Sequence, residues 1–289
     1  MTERIEAPLS IRMKKYEDVN RYYLPSKQPV IIRVDGKAFH SYTKQSWCER
    51  PFSDILVKTF QQTTIAVCEQ LMNCCIAYHQ SDEVTFFLKD YERIEQQQLF
   101  AGNIQKISST IASKFTAYFN KYMIENLLAA NKDISKLKLA EFDARCYTVP
   151  LHEVINCFIW RQRDAMKNSV SQYADSFFSS KQLHKKNTED KKQLIRDTNK
   201  GDWDSLPLYI QRGTFFKKID LELPLDTLSE QNLQYYIDNN LEIPDTIIRK
   251  KWIIDLTPPI VSDTKNYIEQ IVYEIDGGYN ELIPELNKK

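Results

Sequence analysis

Apolar residues in the first 150 positions follow two periods, and the periods alternate. Val30-Ile31-Ile32-Arg33-Val34 is a β-branched run closed by Asp35 and Gly36, which predicts a buried strand with a polar C-terminal end. Leu56, Phe60, Thr64, Val67 and Leu71 then recur every three or four residues. That is the stripe of an amphipathic helix, and Pro51 and Ser53 just ahead of it are start signals. From Ile76 to Leu88 the pattern reads as two strands around a tight turn at Ser81-Asp82-Glu83, with Val84, Phe86 and Leu88 alternating with Thr85 and Phe87. A second helical stripe passes through Ile104, Ile107, Ile111, Phe115, Tyr118 and Tyr122, and Phe142 to Val149 alternates again. The order β-α-β-β-α-β predicts an α+β fold of the ferredoxin-like type. In that topology the first strand is central and adjacent to the third. The end of strand one and the turn between strands two and three then lie side by side.

Beyond this unit, Glu153 to about Phe178 reads as a helix containing Trp160-Arg161-Gln162. Residues 181–202 are polar and rich in lysine, a connector that is either mobile or in contact with substrate. Leu208 to Ile219 reads as a hairpin around Arg212-Gly213. Residues from about 220 onward are acidic, contain prolines and carry no recognisable motif. The division expected is 1–150 as the catalytic unit, 151–220 as a helical and hairpin extension completing the active site, and 221–289 without an assigned role.

Composition narrows the picture without deciding it. Of 289 residues, 42% are hydrophobic and 27% charged, as in a soluble globular protein. The formal net charge is +0, so any nucleic-acid binding must rest on local patches. The six cysteines form no CxxC pair and no histidine stands at zinc-ligand spacing, which makes them reduced core thiols of an intracellular protein. The N-terminus has no apolar core of a signal peptide and no stretch reaches membrane-spanning length. A cytoplasmic protein without membrane partners is expected.

The chemistry concentrates on Asp35, Asp82 and Glu83. An Asp-Gly after a strand is by itself a common turn, and Ser-Asp-Glu at a hairpin tip is by itself a solvated one. Brought to adjacent strand ends by the β-α-β-β-α-β order, they become a carboxylate set able to hold two divalent ions roughly 4 Å apart. Magnesium, which takes few carboxylates and completes its shell with phosphate oxygens and water, is the ion expected. Gly36 allows close approach of the backbone, and its carbonyl is a further candidate ligand. Arg33, inside a buried strand, requires an anionic partner.

Six segments, "IIRVDGKAFHSYTK", "AYHQSDEVTFFL", "KISSTIASKFTAYF", "FDARCYTVP", "FIWRQRDAMKNSV" and "LPLYIQRGTFF", resemble in order those of the tRNA(His) guanylyltransferase family. The resemblance is closest to its shorter relatives, the Thg1-like 3′–5′ RNA polymerases, and spans about residues 7–220. It implies a polymerase palm with a family-specific helical extension. It also implies a 5′-end reaction on tRNA in which ATP adenylylates the 5′ monophosphate. The 3′-hydroxyl of GTP or another nucleoside triphosphate then displaces AMP. Asp35, Gly36, Asp82 and Glu83 would hold two Mg²⁺, with Asp35, Asp82 and Glu83 catalytic. Arg33, the run Lys37-Ala38-Phe39-His40, Lys44, Ser81, Lys106 and Asn168 would meet the nucleotide, with Lys44 and Lys106 as either triphosphate clamps or surface lysines. His40 is either a nucleotide contact or a structural histidine. Arg161, Asp164 and Lys186 would meet tRNA, and Trp160 is read as core ahead of base-stacking. A homotetramer is implied. Eukaryotic members carry a histidine in the stretch after Trp-Arg-Gln-x-Asp where this chain has Met166, and a relative's Leu-His-Gly-Lys has Lys185 in place of glycine here. The first departure favours templated repair of 5′-truncated tRNA over untemplated G addition to tRNA(His). A palm-type nucleotidyl cyclase and a non-catalytic RNA-binding protein are the competing classes.

Overall fold

The computed structural model describes residues 8–224, 234, 236–239, 245–264 and 266–273. Along the chain come α1 (Leu9–Asp18), β1 (Pro29–Gly36), the single turn α2 (Phe39–Tyr42), α3 (Asp54–Gln70), β2 (Cys74–Gln80) and β3 (Glu83–Lys89). Then follow α4 (Ile104–Ala129), β4 (Phe142–Thr148), α5 (Val154–Asp175), α6 (Ser180–Leu183), α7 (Thr188–Asp197), α8 (Leu208–Arg212), β5 (Thr214–Pro224), β6 (Thr246–Asp255) and α9 (Glu269–Tyr273). The strands form one antiparallel sheet in the order β4-β1-β3-β2-β5-β6. Its first four members are the ferredoxin-like arrangement the periodicity predicts. No helix among the described residues is long and apolar enough to cross a membrane.

Local chemistry explains the boundaries. Ser53 Oγ accepts from the Leu56 N–H at the start of α3 and Asn103 Oδ1 from the Lys106 N–H at the start of α4, so a donor left over at each helix start finds an oxygen. The alternation of side chains across a strand then assigns two cores. One face of β1 and β3, with Val30, Ile32, Val34, Val84, Phe86 and Leu88, packs on α3 and α4 through Phe60, Phe115, Phe119 and Met123. The other, with Ile31 and Phe87, meets Val154, Cys157 and Phe158 of α5. With cover on both sides, the apolar run of β1 stays wholly buried until Arg33 and Asp35, where the α5 layer thins and the polar end begins. A third cluster joins the second half of α5 to α7 through Val170, Ala174 and Ile195.

One expectation is corrected, and two further segments take structure that the pattern does not show. Leu208–Ile219 is not a hairpin. Leu208–Arg212 is a helical turn, Gly213 at φ 77° breaks it, and the following residues enter β5 beside β2. The adjacent Phe215 and Phe216, buried in the cores on opposite faces, suit a strand, but no pattern says which partner it finds. The polar stretch 181–202 is largely helical, with α7 held at its start by reciprocal Asn187 and Asp190 hydrogen bonds. Lys192 pairs with Asp204 just beyond the stretch at 2.9 Å, and Lys191 donates to the Ser171 hydroxyl of α5 at 2.9 Å. Finally, part of the motif-free C-terminal region, 246–255, is β6, which pairs with β5 from Phe215–Asp255 to Pro224–Thr246.

Gly36 is the tightest point of the fold near the polar strand ends. A Cβ there would stand 2.1 Å from the Phe39 ring. That ring is locked among Tyr42, Phe60, Phe119 and Phe142, with centroids 4.8 to 5.8 Å away, and has no room to withdraw. Gly36→Ala is expected to destabilise the chain by about 2 kcal/mol through overpacking. Urea unfolding of the variant and the parent measures the difference, and an unchanged midpoint overturns it.

Candidate active site

The pairing of β1 with β3 places Asp35 opposite Glu83, and the pairing with β4 places it opposite Asp143. All three side chains therefore leave the same face of the sheet. Asp82 sits next to them in the two-residue β2–β3 turn, where its carbonyl accepts the Gly36 N–H at 3.0 Å and fastens the end of β1 to the turn. Ser81 occupies the left-handed region at φ 51°, as does Ala38 at φ 53° in the loop after β1. Non-glycine residues held in that conformation cluster at working sites. The Asp82 carboxylate has the Ser81 hydroxyl at 3.1 Å. Burial pushes its pKa up, with the nearby negative charge of Asp35 adding to the rise.

Arginines surround this acidic corner. Arg161 of α5 grips Glu83 with both arms, Nε to Oε1 at 2.6 Å and Nη2 to Oε2 at 3.0 Å, and also reaches Asp164 at 3.2 Å. Arg33 approaches the same carboxylate at 3.7 Å, supplying the anionic partner its buried position requires. Burial pushes the Glu83 carboxyl up while Arg161 and Arg33 pull it down. Arg145 lies 3.0 Å from Asp143 and 3.8 Å from Asp35.

Beside Asp82 opens a cavity of about 490 Å³. Its walls come from α2 (His40), the loop into α3 (Pro51, Phe52), the β2–β3 turn (Ser81, Asp82), α5 (Asn168, Gln172) and the α8–β5 junction (Ile210, Gly213). At its base His79 stacks on Phe60 with centroids 4.6 Å apart, and its Nε2 meets the Ser81 carbonyl at 3.1 Å. Burial lowers the His79 pKa to about 4, so the ring is neutral and donates from Nε2. Wall, turn and carboxylate together form a mixed apolar and polar recess of the size that small ligands occupy.

The structure brings most of the sequence-derived site together and separates the rest. Asp35, Gly36, Asp82, Ser81, His40 and Asn168 converge on the corner and cavity. Lys37 stands exposed beside it, paired with Glu141. Lys44 is exposed just past α2, outside the cavity wall. Phe39 touches the cavity but is 95% buried, mainly a core residue. Glu83, expected as a metal ligand, has both oxygens engaged by Arg161. Arg161, expected to touch tRNA, is 5% exposed and serves Glu83 instead, because a charge on the inner face of α5 must be paired. Asp164 is half-exposed. Lys186 is half-buried in the α6–α7 loop. Lys106 begins α4 at the far end of the sheet, where Ile104 N–H meets the Tyr22 carbonyl before β1, and does not reach the corner within one chain. Trp160, read as core, is 52% exposed. Arg145, His79 and the residues 209–213 wall were missed. An arginine in an alternating strand and a turn 130 residues downstream give no local signal.

Residues 10–150 match the family model described as Thg1, tRNA(His) guanylyltransferase. A solved bacterial tRNA(His) guanylyltransferase (Thg1)-like protein in complex with ATP is 34% identical with a TM-score of 0.75, covering 92% of this chain and 99% of that one. A GTP complex is described likewise, with a TM-score of 0.70. The probable tRNA(His) guanylyltransferase of Dictyostelium discoideum is 30% identical over 165 residues, 54% of this chain and 59% of its own length. The match thus spans little more than half of that relative. Six ordered segments, a palm-like sheet with its acidic corner, and likeness along nearly the whole of a solved relative converge: the chain belongs to the Thg1-like family of nucleotidyltransferases.

Proposed function

We propose that this chain adds nucleotides to the 5′ end of tRNA in the 3′–5′ direction, and that a template base opposite a truncated end directs the addition. The observation that carries the reading is the hydrogen bond from Gly36 N–H to the Asp82 carbonyl, which fastens the end of β1 that bears Asp35 to the turn whose Asp82 lines a nucleotide-sized cavity. The likeness to a solved protein described with ATP and with GTP supports it. Met166, at the place of the histidine of untemplated enzymes, packs against the cluster joining α5 to α7 and offers no polar group to a substrate. This favours templated repair over untemplated G addition. Assembly as a homotetramer belongs to the same proposal.

The residues present fit a divalent ion. Asp35 and Asp82 are like charges drawn together with one hydroxyl near them, an arrangement that a cation relieves. Among the described residues no three His, Cys, Asp or Glu side chains are arranged to hold a metal unaided. Two carboxylates and the Gly36 carbonyl would leave Mg²⁺ to complete its shell with phosphate oxygens and water. When bound, Mg²⁺ neutralises triphosphate charge and favours ionisation of an attacking hydroxyl. The chain itself does the positioning. The cavity holds base and sugar, and Ser81 offers a hydroxyl beside Asp82. Arg161 and Arg33 fix Glu83 behind the corner, so that its charge shapes the field there.

Two predictions follow from this reading. With Mg²⁺, ATP and GTP, 5′-monophosphorylated tRNAs lacking their first nucleotide are extended according to the base opposite the gap. Asp35→Asn and Asp82→Asn each lower the rate by about 100-fold or more. Addition of G to tRNA(His) alone, whatever the opposing base, would replace templated repair with the guanylyltransferase reading. The second concerns the pair behind the corner. Arg161→Met leaves Glu83 buried with only the more distant Arg33 beside it and is expected to cost about 3 kcal/mol of stability, while the double variant Arg161→Met, Glu83→Gln regains most of it. Equal denaturation midpoints for the single and double variants would show that the pair is not what Arg161 supplies.

A further inference from the structure

We propose that Trp160 is a stacking platform for the base of the nucleotide at the RNA 5′ end, and that Arg145 meets that nucleotide's phosphate beside Asp35. The inference rests on the reading of the chain as a 5′-end nucleotidyltransferase and names where its second substrate lies.

Helix α5 turns Cys157, Phe158, Arg161 and Gln162 inward, yet Trp160 among them is 52% exposed. The indole is not loose. The Arg161 guanidinium lies 4.4 Å from its centroid and that of Arg33 5.9 Å, both within cation–π range. Both guanidiniums converge on Glu83 and are themselves mostly buried, so they back the ring from the sheet side and leave its other side to solvent. A ring held in this way loses little freedom when a base stacks on it.

The position of the platform matches the length of a nucleotide. Arg33 and Asp35 leave the same face two residues apart on β1, roughly 7 Å. A base over Trp160 therefore places its phosphate within reach of Asp35. Arg145 is the direct cross-strand partner of Arg33, half-exposed, and 3.8 Å from Asp35. Its Nη2 is held by Asp143 at 3.0 Å, which fixes the guanidinium at the rim of the corner and leaves the rest of its fork of N–H donors to a phosphate. The cavity beside Asp82 is lined by neither Asp35, Arg145 nor Trp160. A nucleoside triphosphate in that cavity leaves the opposite side of the carboxylates for the RNA end. One indole framed by guanidiniums suits a base with its phosphate, whereas a docked protein surface favours a broader apolar centre.

The test uses a 5′-truncated tRNA carrying 2-aminopurine as its 5′-terminal base, and a second one with the probe in the anticodon loop. Binding to the parent protein is expected to quench the 5′-terminal probe and leave the other unchanged. Trp160→Ala abolishes that quench and raises the KM for RNA about tenfold with the KM for ATP unchanged, while Trp160→Phe keeps most of both. An undiminished quench in Trp160→Ala, a KM for ATP that rises in step, or a changed sedimentation coefficient showing that another copy covers the ring would each overturn the proposal. Failure of the parent protein to extend any RNA would instead strike the functional reading beneath it. The two are told apart because the quench requires binding without turnover.

Discussion

The register between β1 and β3 governs everything at the polar end of this sheet. With Val34 opposite Val84 and Asp35 opposite Glu83, apolar side chains enter the α3–α4 core and charged ones leave on the α5 face. Because side chains alternate with a period of two, a slip by one residue would send Asp35 into that core and Val34 out to the solvent end. The register is over-determined. Four large apolar pairs sit below it, and the hydrogen bond from Gly36 to the Asp82 carbonyl closes it above. The acidic corner is the terminus of a ladder whose stability comes from elsewhere.

Charge is organised in depth around that terminus. Glu83, fully engaged by Arg161, links the sheet to α5 and removes one carboxylate from the solvent side. Asp35 and Asp82 are left as a like-charged pair that Arg145 balances only from one side. An interior ion pair adds little net stability of its own, but it fixes α5 in rotation about its axis. Through α5 it fixes Asn168, Gln172 and the exposed indole of Trp160. The cavity and the platform on the two sides of the corner thus share one anchor.

Much of this was legible in the sequence because it is local. The two helical stripes, the alternating strands and the turn at Ser81-Asp82 each carry their own period, and their order alone places Asp35 beside Asp82. What was not legible depends on which side of a helix faces the sheet. Arg161 and Trp160 are neighbours in a segment with apolar residues all round, and only the packed structure shows that the arginine points in and the tryptophan out. Lys106 was drawn to the nucleotide by motif alone, whereas the direction of α4 carries it to the other end of β1. The partner of Phe215 and Phe216 was equally hidden, since pairing between β2 and β5 closes a loop of more than 130 residues and leaves no trace in local composition.

That late pairing has a consequence for synthesis. During translation the carboxylates, β1, β2 and β3 all emerge within the first 90 residues, yet Tyr209, Ile210 and Gly213, which close the cavity, follow more than a hundred residues later. A nascent chain therefore carries the residues of its acidic corner long before those that close the cavity. Through that interval β2, with Ile76, Ala77 and Tyr78, is an open sheet edge of the kind that recruits other strands. For this chain the ribosome-bound intermediate is the state most exposed to misassembly, and release from that risk coincides with completion of the cavity beside Asp82.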